Sequence, residues 1–221
     1  MISIFLISFI SLLLIAQPDI GQTLLVIFCW AVLIFTSGIN IYILLAIFIA
    51  GASLLTYLII YVPRFDYIQG RIFSFFNRET GNHNFQSDKA IESITSGGFF
   101  GKGIGEGTLK NRVPEAHTDY IISVISEEFG VIAIILILIL FLVLIYMVFK
   151  KISFETEEQN KLILIGSVSL ILMQATIHIG VNIRLFPTTG MTLPFLSYGG
   201  SSIVSTSILT GIILNLTKRK I

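Results

Sequence analysis

The sequence predicts an all-α integral membrane protein with six transmembrane helices and one long extracytoplasmic loop between the third and the fourth. Three observations carry that expectation. Of 221 residues, 54% are hydrophobic and only 12% charged, about half the charge of an average soluble domain. A water-soluble particle of this size could not cover its apolar surface with so few charges, so lipid must take up the excess. The apolar residues also gather in charge-free runs near the ~20 residues that cross a ~30 Å hydrocarbon core. These runs lack the alternating polar face of barrel strands, which excludes a transmembrane β-barrel. Formal net charge is +1, which leaves no basic field for a nucleic-acid partner. The single Cys29 permits no disulfide within the chain.

Residues 1–18 form the first run. No basic residues lead it and Ala16-Gln17-Pro18 is a poor cleavage site, so it reads as a span rather than a secretion signal. Residues 20–63 hold two spans around the turn Ser37-Gly38-Ile39-Asn40, which makes 1–63 a group of three helices. Residues 64–119 are the long loop. A helix over 120–149, a second over 162–183 and a third over about 201–216 follow, the last preceded by Pro187, Gly190, Pro194 and Gly199-Gly200. The region 120–221 therefore has a short cytoplasmic loop near 150–161 and an extracytoplasmic loop near 184–200. Orientation follows the basic residues of short connections. Lys150, Lys151, Lys161 and Lys218-Arg219-Lys220 belong in the cytoplasm, which puts both termini inside and residues 64–119 outside. That long loop balances seven Lys/Arg against seven Asp/Glu, so its own charge does not bias the orientation. A loop this long usually has a task.

Within it, glycines at 97, 98, 101, 103, 105 and 107 surround Lys102. They admit two readings: a backbone cradle for phosphate, or a re-entrant turn packed on helix ends. Known phosphate-loop registers are absent, since Lys102 is followed by Gly103. Next comes Pro114-Glu115-Ala116-His117-Thr118-Asp119. If extended, this stretch aims Glu115, His117 and Asp119 to one side; if helical, only Glu115 and Asp119 align. Asp119 is a candidate general base with an imidazole nearby, or else Asp119 or Thr118 caps the following helix. Of Glu127 and Glu128, about 100° apart on that helix, only one can face a polar interior. His178, Asn182 and Arg184 make a second polar cluster, with His178 expected to bond a neighbouring helix. Arg184 either snorkels to lipid phosphate or holds a pyrophosphate. His83, His117 and His178 are too scattered for zinc.

These stretches, with Gln17-Pro18-Asp19-Ile20-Gly21, Glu127-Glu128-Phe129-Gly130, Ile179-Gly180-Val181-Asn182 and 187–202 from Pro-Thr-Thr-Gly-Met to Tyr-Gly-Gly-Ser-Ser, follow the order of the SEDS family (shape, elongation, division and sporulation). The chain resembles that family over nearly its whole length, and Ala116 resembles the division branch rather than the elongation branch. The resemblance implies a ten-helix glycosyltransferase of the bacterial inner membrane that polymerises lipid II into glycan strands at the division septum. It makes Asp119 the catalytic carboxylate, taking the proton of an acceptor sugar hydroxyl as undecaprenyl pyrophosphate leaves. Glu115, His117, Lys110, Arg112, Arg71, Arg184 and Ser197 are then expected around the substrate, with a divalent cation such as Mg or Mn as a possible aid to the pyrophosphate. Expected partners are a class B penicillin-binding protein (a transpeptidase) and other divisome membrane proteins. Six helices correspond to the family from near its fifth, so an open groove is expected where the family encloses a cavity. A lipid-linked precursor transporter and a non-catalytic divisome scaffold are the competing readings.

Overall fold

The computed structural model describes residues 2–17, 19–76, 83–108 and 115–218, and every regular element among them is helical. The chain divides into two compact units, Met1–Thr80 and Gly81–Ile221.

The first unit contains α1 (Ile2–Ala16), α2 (Ile20–Thr36), α3 (Ile41–Tyr61) and α4 (Asp66–Phe76). Local chemistry sets each boundary. The Asp19 carboxylate accepts the Gln22 amide at 3.0 Å and caps α2. The turn expected at 37–40 is present: Gly38 takes φ 84°, and Asn40 Oδ1 accepts the Tyr42 amide at 3.0 Å to start α3. Val62 is extended, as a residue before proline prefers, and a 3-10 turn Pro63–Phe65 leads into α4. At 15 and 17 residues, α1 and α2 are roughly 22 and 26 Å long, less than the hydrocarbon thickness, whereas α3 with 21 residues reaches about 31 Å.

The second unit contains α5 (His83–Gly97), α6 (Ile121–Phe154), α7 (Glu158–Asn182) and α8 (Gly200–Thr217). Among the described residues, α3, α6, α7 and α8 are long and apolar enough to cross a membrane, and α1 and α2 are shorter apolar helices. All six lie where the sequence expects spans. The stretch read as a loop instead carries α4 and α5. α5 escapes an apolar-stripe search because it buries small side chains, with Ala90 and Ser93 at 0% exposure, and packs chiefly on α6.

α7 is central in its unit and buries Gly166, Ser167, Ala175 and Gly180. Lipid supplies no hydrophobic force between helices, so association depends on the close approach that such residues allow. Val148, Leu164, Val168, Ile171 and Ile213 join α6, α7 and α8 in one cluster. The other side of α6 exposes Ile132, Leu136, Ile139, Leu140 and Val143, the composition of a lipid-facing surface.

α6 is not a continuous rod. Gly130 has φ 78° and ψ −178°, a conformation essentially restricted to glycine. It separates a short arm, 121–129, from a long arm, 131–154. The long arm of about 24 residues spans roughly 36 Å and can cross the bilayer unaided.

Candidate active site

The glycine-rich loop 98–108 is the partner of the break in α6. Where the helix is interrupted, its carbonyls and amides have no intrahelical partners, and the loop supplies them. The amides of Lys102 and Gly103 donate to the carbonyls of Glu127 and Glu128 at 2.9 and 3.1 Å, while the amides of Val131 and Ile132 donate to those of Gly98 and Phe99 at 3.0 and 3.4 Å. This backbone-to-backbone splice leaves no room for Cβ atoms. One on Gly97 would stand 1.9 Å from the Ser126 carbonyl oxygen, one on Gly101 2.1 Å from that of Glu128, and one on Gly130 2.2 Å from that of Phe99. Here the glycines serve close packing, the re-entrant-turn alternative, and the amides of Lys102 and Gly103 are spent on helix carbonyls.

Glu127 is fully buried. Its carboxylate accepts the Ser93 hydroxyl at 3.1 Å, the Lys102 ammonium at 3.1 Å and the Thr108 amide at 2.9 Å. Glu128 is partly exposed, so one acid of the pair faces inward, as adjacent helical positions require.

Just before α6, residues 115–120 form a tight turn rather than an extended stretch. The amides of Thr118, Asp119 and Tyr120 all reach the Glu115 carbonyl, at 3.1, 3.1 and 3.3 Å, and Glu115 accepts φ 55° to allow it. The arrangement that would aim Glu115, His117 and Asp119 together is therefore not adopted. The Thr118 hydroxyl lies 2.9 Å from a Glu115 carboxylate oxygen, Glu115 and His117 are exposed, and Asp119 is partly exposed. Tyr120 occupies the N-cap position of α6, which displaces the expectation that Thr118 or Asp119 does.

Three successive carbonyls of this turn are each held from outside it. The Tyr198 amide donates to His117 O at 2.9 Å, the Ser197 hydroxyl to Thr118 O at 2.7 Å, and the Asn182 amide nitrogen to Asp119 O at 2.9 Å. Asn182 lies at the end of α7 and is fully buried; Ser197 is 3% exposed and also accepts the Leu193 amide at 2.7 Å. The single Ser197 proton is thus spent on the turn. A Cβ on Gly190, which has φ 69°, would lie 3.6 Å from Asp119 Oδ2. The Asp119 carboxylate therefore lies against the backbone of Gly190.

The segment that delivers these groups, 183–199, is itself tied to α7. His178 Nδ1 lies 2.7 Å from the Met191 carbonyl; a carbonyl only accepts, so Nδ1 carries the proton. Gln174 donates to Thr192 O at 3.0 Å and to Ser202 Oγ at 3.2 Å. Neither Gln174 nor Thr192 stands out in the sequence, because a lone amide in an apolar run has no partner until the segment folds back. His178 meets its expected role as a bonded core residue. Arg184, at φ 59°, pairs with Asp88 of α5, an acid with no motif around it. Arg71 lies on α4 in the first unit. Lys110 and Arg112 lie outside the described residues. Among the described residues no three Asp, Glu, His or Cys side chains converge.

Comparison with known proteins gives this geometry its context. The model of the family FtsW/RodA/SpoVE, described as cell cycle protein, matches residues 1–221. The chain is 35% identical over 98% of its length to a Caulobacter vibrioides protein named Probable peptidoglycan glycosyltransferase FtsW, covering 55% of that protein. It is 34% identical over 94% of its length to stage V sporulation protein E of Bacillus subtilis, covering 57% of it. Among solved structures, a chain of a peptidoglycan synthase complex coordinating polymerization and crosslinking superposes with a TM-score of 0.74 at 27% identity, over 97% of this chain and 60% of that one. An aspartate-to-alanine mutant of the rod shape determining protein RodA of Thermus thermophilus superposes with a TM-score of 0.62 at 27% identity, over 98% and 55%. The chain spans somewhat over half the length of the curated relatives it matches. It is an integral membrane protein that belongs to the FtsW/RodA/SpoVE family of cell cycle proteins.

Proposed function

We propose that this chain carries the catalytic end of a membrane glycosyltransferase that polymerises lipid II into peptidoglycan strands, with Asp119 as general base. The observation that carries the reading is the placement of Asp119: a partly exposed carboxylate on a turn held through its backbone by Asn182 and Ser197 and lying beside Gly190. The names of the relatives support the choice of reaction.

Asp119 takes the proton of the acceptor sugar hydroxyl as that oxygen attacks the anomeric carbon of the donor. The bond from that carbon to the pyrophosphate oxygen breaks, and undecaprenyl pyrophosphate leaves with the electron pair. A general base at this point is worth about 10²–10⁴-fold. Glu115 and His117, both exposed and two to four residues from Asp119 in the chain, are the polar side chains proposed to meet the sugar. Lys110, Arg112, Arg71 and Arg184 are the cations proposed for the pyrophosphate; of these, Arg184 already neutralises Asp88, which makes it the weakest anion site. Ser197 acts on the turn instead of the substrate.

The site belongs on the outer face of the bacterial inner membrane, with Lys150, Lys151, Lys161 and Lys218 at the cytoplasmic ends of α6, α7 and α8. A class B penicillin-binding protein is the fitting partner at the septum, in keeping with a fold neighbour that comes from a complex coordinating polymerization and crosslinking. A transporter would need charged groups along a midplane path, but residues 129–149 and 200–217 contain no Asp, Glu, Lys, Arg or His.

The test is polymerisation of labelled lipid II by the chain in proteoliposomes, with and without Asp119→Asn. The reading expects glycan strands from the unaltered chain and a loss of at least ~10²-fold in the variant. A near-normal rate in the variant, or lipid II crossing between leaflets with no polymer formed, overturns it.

A further inference from the structure

The short arm of α6 joins the two halves of the site. Asp119 sits one residue before its N-cap and Glu127 near its far end. Nine or so residues of helix do not hold an orientation by themselves, and the break at Gly130 disconnects this arm from the long arm. Its direction therefore depends on what grips it. At the Asp119 end, Asn182, Ser197 and Tyr198 hold backbone carbonyls. At the other end, one side chain holds three separate pieces. Glu127 takes Ser93 from α5, Lys102 from the start of the glycine loop and the Thr108 amide from its end. Gly107 makes this possible, since a Cβ there would stand 2.9 Å from the Glu127 carboxyl carbon. Burying a carboxylate completely is costly unless charge and hydrogen bonds compensate it. A purely structural link between loop and helix would be served as well by an apolar contact, which carries no such cost.

We propose that Glu127 is a positioning residue for the reaction: its buried carboxylate locks the short arm of α6 to the glycine loop and so holds the Asp119 carboxyl in place beside Gly190. This rests on the reading of Asp119 as the base. The side chain of Lys102 is 35% exposed while that of Glu127 is fully buried, so the loop brings a cation in from the surface to fasten the arm.

The test uses the whole chain in proteoliposomes with labelled lipid II, comparing Glu127→Gln, Lys102→Gln and the double variant. Removing the negative charge opposes an uncharged amide to the Lys102 ammonium and loosens the arm. Expected is a fall in kcat of about 10-fold or more with KM for lipid II unchanged, because binding surfaces stay in place while the base is misaimed. The double variant restores an amide-to-amide hydrogen bond without charge and is expected to fold even where Glu127→Gln alone does not. It should recover part of kcat. In an Asp119→Asn background Glu127→Gln should cost nothing further, since the two act as a unit. Equal fold-losses in both backgrounds, or a loss that tracks only the amount of folded protein, overturn the proposal. Hydrogen exchange separates this result from the reading beneath it: Glu127→Gln should deprotect the amides of Lys102, Gly103 and Thr108, and retained protection there overturns the lock whatever the rates. A normal rate in Asp119→Asn overturns the base instead, with the exchange result intact.

Discussion

Replacing Gly130 by alanine is the sharpest structural perturbation available. The residue has φ 78° and ψ −178°, where a side chain costs about 1–3 kcal/mol in backbone strain. A Cβ would also stand 2.2 Å from the Phe99 carbonyl oxygen and 2.5 Å from the Gly101 amide nitrogen. Those are backbone atoms, so no rotamer change relieves the contact and the loop must withdraw. Withdrawal threatens the four backbone hydrogen bonds across the splice, each worth roughly 0.5–1.5 kcal/mol net. Losing two of them beside the strain sets a floor of ~2 kcal/mol, which lowers the thermal midpoint by at least ~4 °C for a domain of this size. The assay is thermal unfolding in detergent, paired with hydrogen exchange at Lys102, Gly103, Val131 and Ile132. Gly211→Ala in α8 is the control, because nothing lies within 4 Å of its added methyl and alanine favours helix by ~0.5–1 kcal/mol. An unchanged midpoint with unchanged exchange in Gly130→Ala would refute the splice.

Three further outcomes follow from the same geometry. Asn182→Leu removes the donor to the Asp119 carbonyl and leaves that acceptor short of a partner, so it should destabilise by about 1–3 kcal/mol and lower kcat more than it raises KM, measured by polymer yield against lipid II concentration. Gly190→Val places a branched side chain against Asp119 Oδ2, starting from a Cβ at 3.6 Å, and forces φ 69° on a β-branched residue; activity should fall by at least ~10-fold while Glu127 and the loop keep their exchange protection. Arg184→Gln should change stability by no more than ~1 kcal/mol, because its partner Asp88 is half exposed and such pairs are weak. A large loss of lipid II affinity with that small stability change would instead assign Arg184 to the pyrophosphate.

Much of the fold was legible because spans announce themselves: long uncharged runs predict α3, α6, α7 and α8 within a few residues of their observed ends, and the glycine at 38 marks its turn. α4 and α5 were not legible, since a helix that buries Ala90 and Ser93 against another helix shows no apolar stripe. The broken state of α6 was hidden for a related reason. Gly130 sits inside an apolar run, and only the approach of Phe99 and Gly101 demands its positive φ. For the site, Asp119 stood out as an acid at a helix start, and the choice between Glu127 and Glu128 was correctly posed as one facing in. Ser197 and Asn182 were also visible, as a substrate contact and as part of a polar cluster, but their grip on the Asp119 turn was not. Ser197, Asn182 and Gly190 act through backbone contacts across 63 to 79 residues of chain or through lacking a side chain, and neither leaves a pattern in a single sequence.

As the proposed base, the Asp119 carboxylate removes a proton during glycosyl transfer and is not needed to bind the lipid-linked sugar. Single-turnover transfer from pre-bound, labelled lipid II measures this directly, because it separates binding from bond formation. Asp119→Asn should bind lipid II with affinity near that of the unaltered chain and form the glycosidic bond at least ~10²-fold more slowly. Bond formation at the unaltered rate, or a loss confined to lipid II affinity, would contradict it.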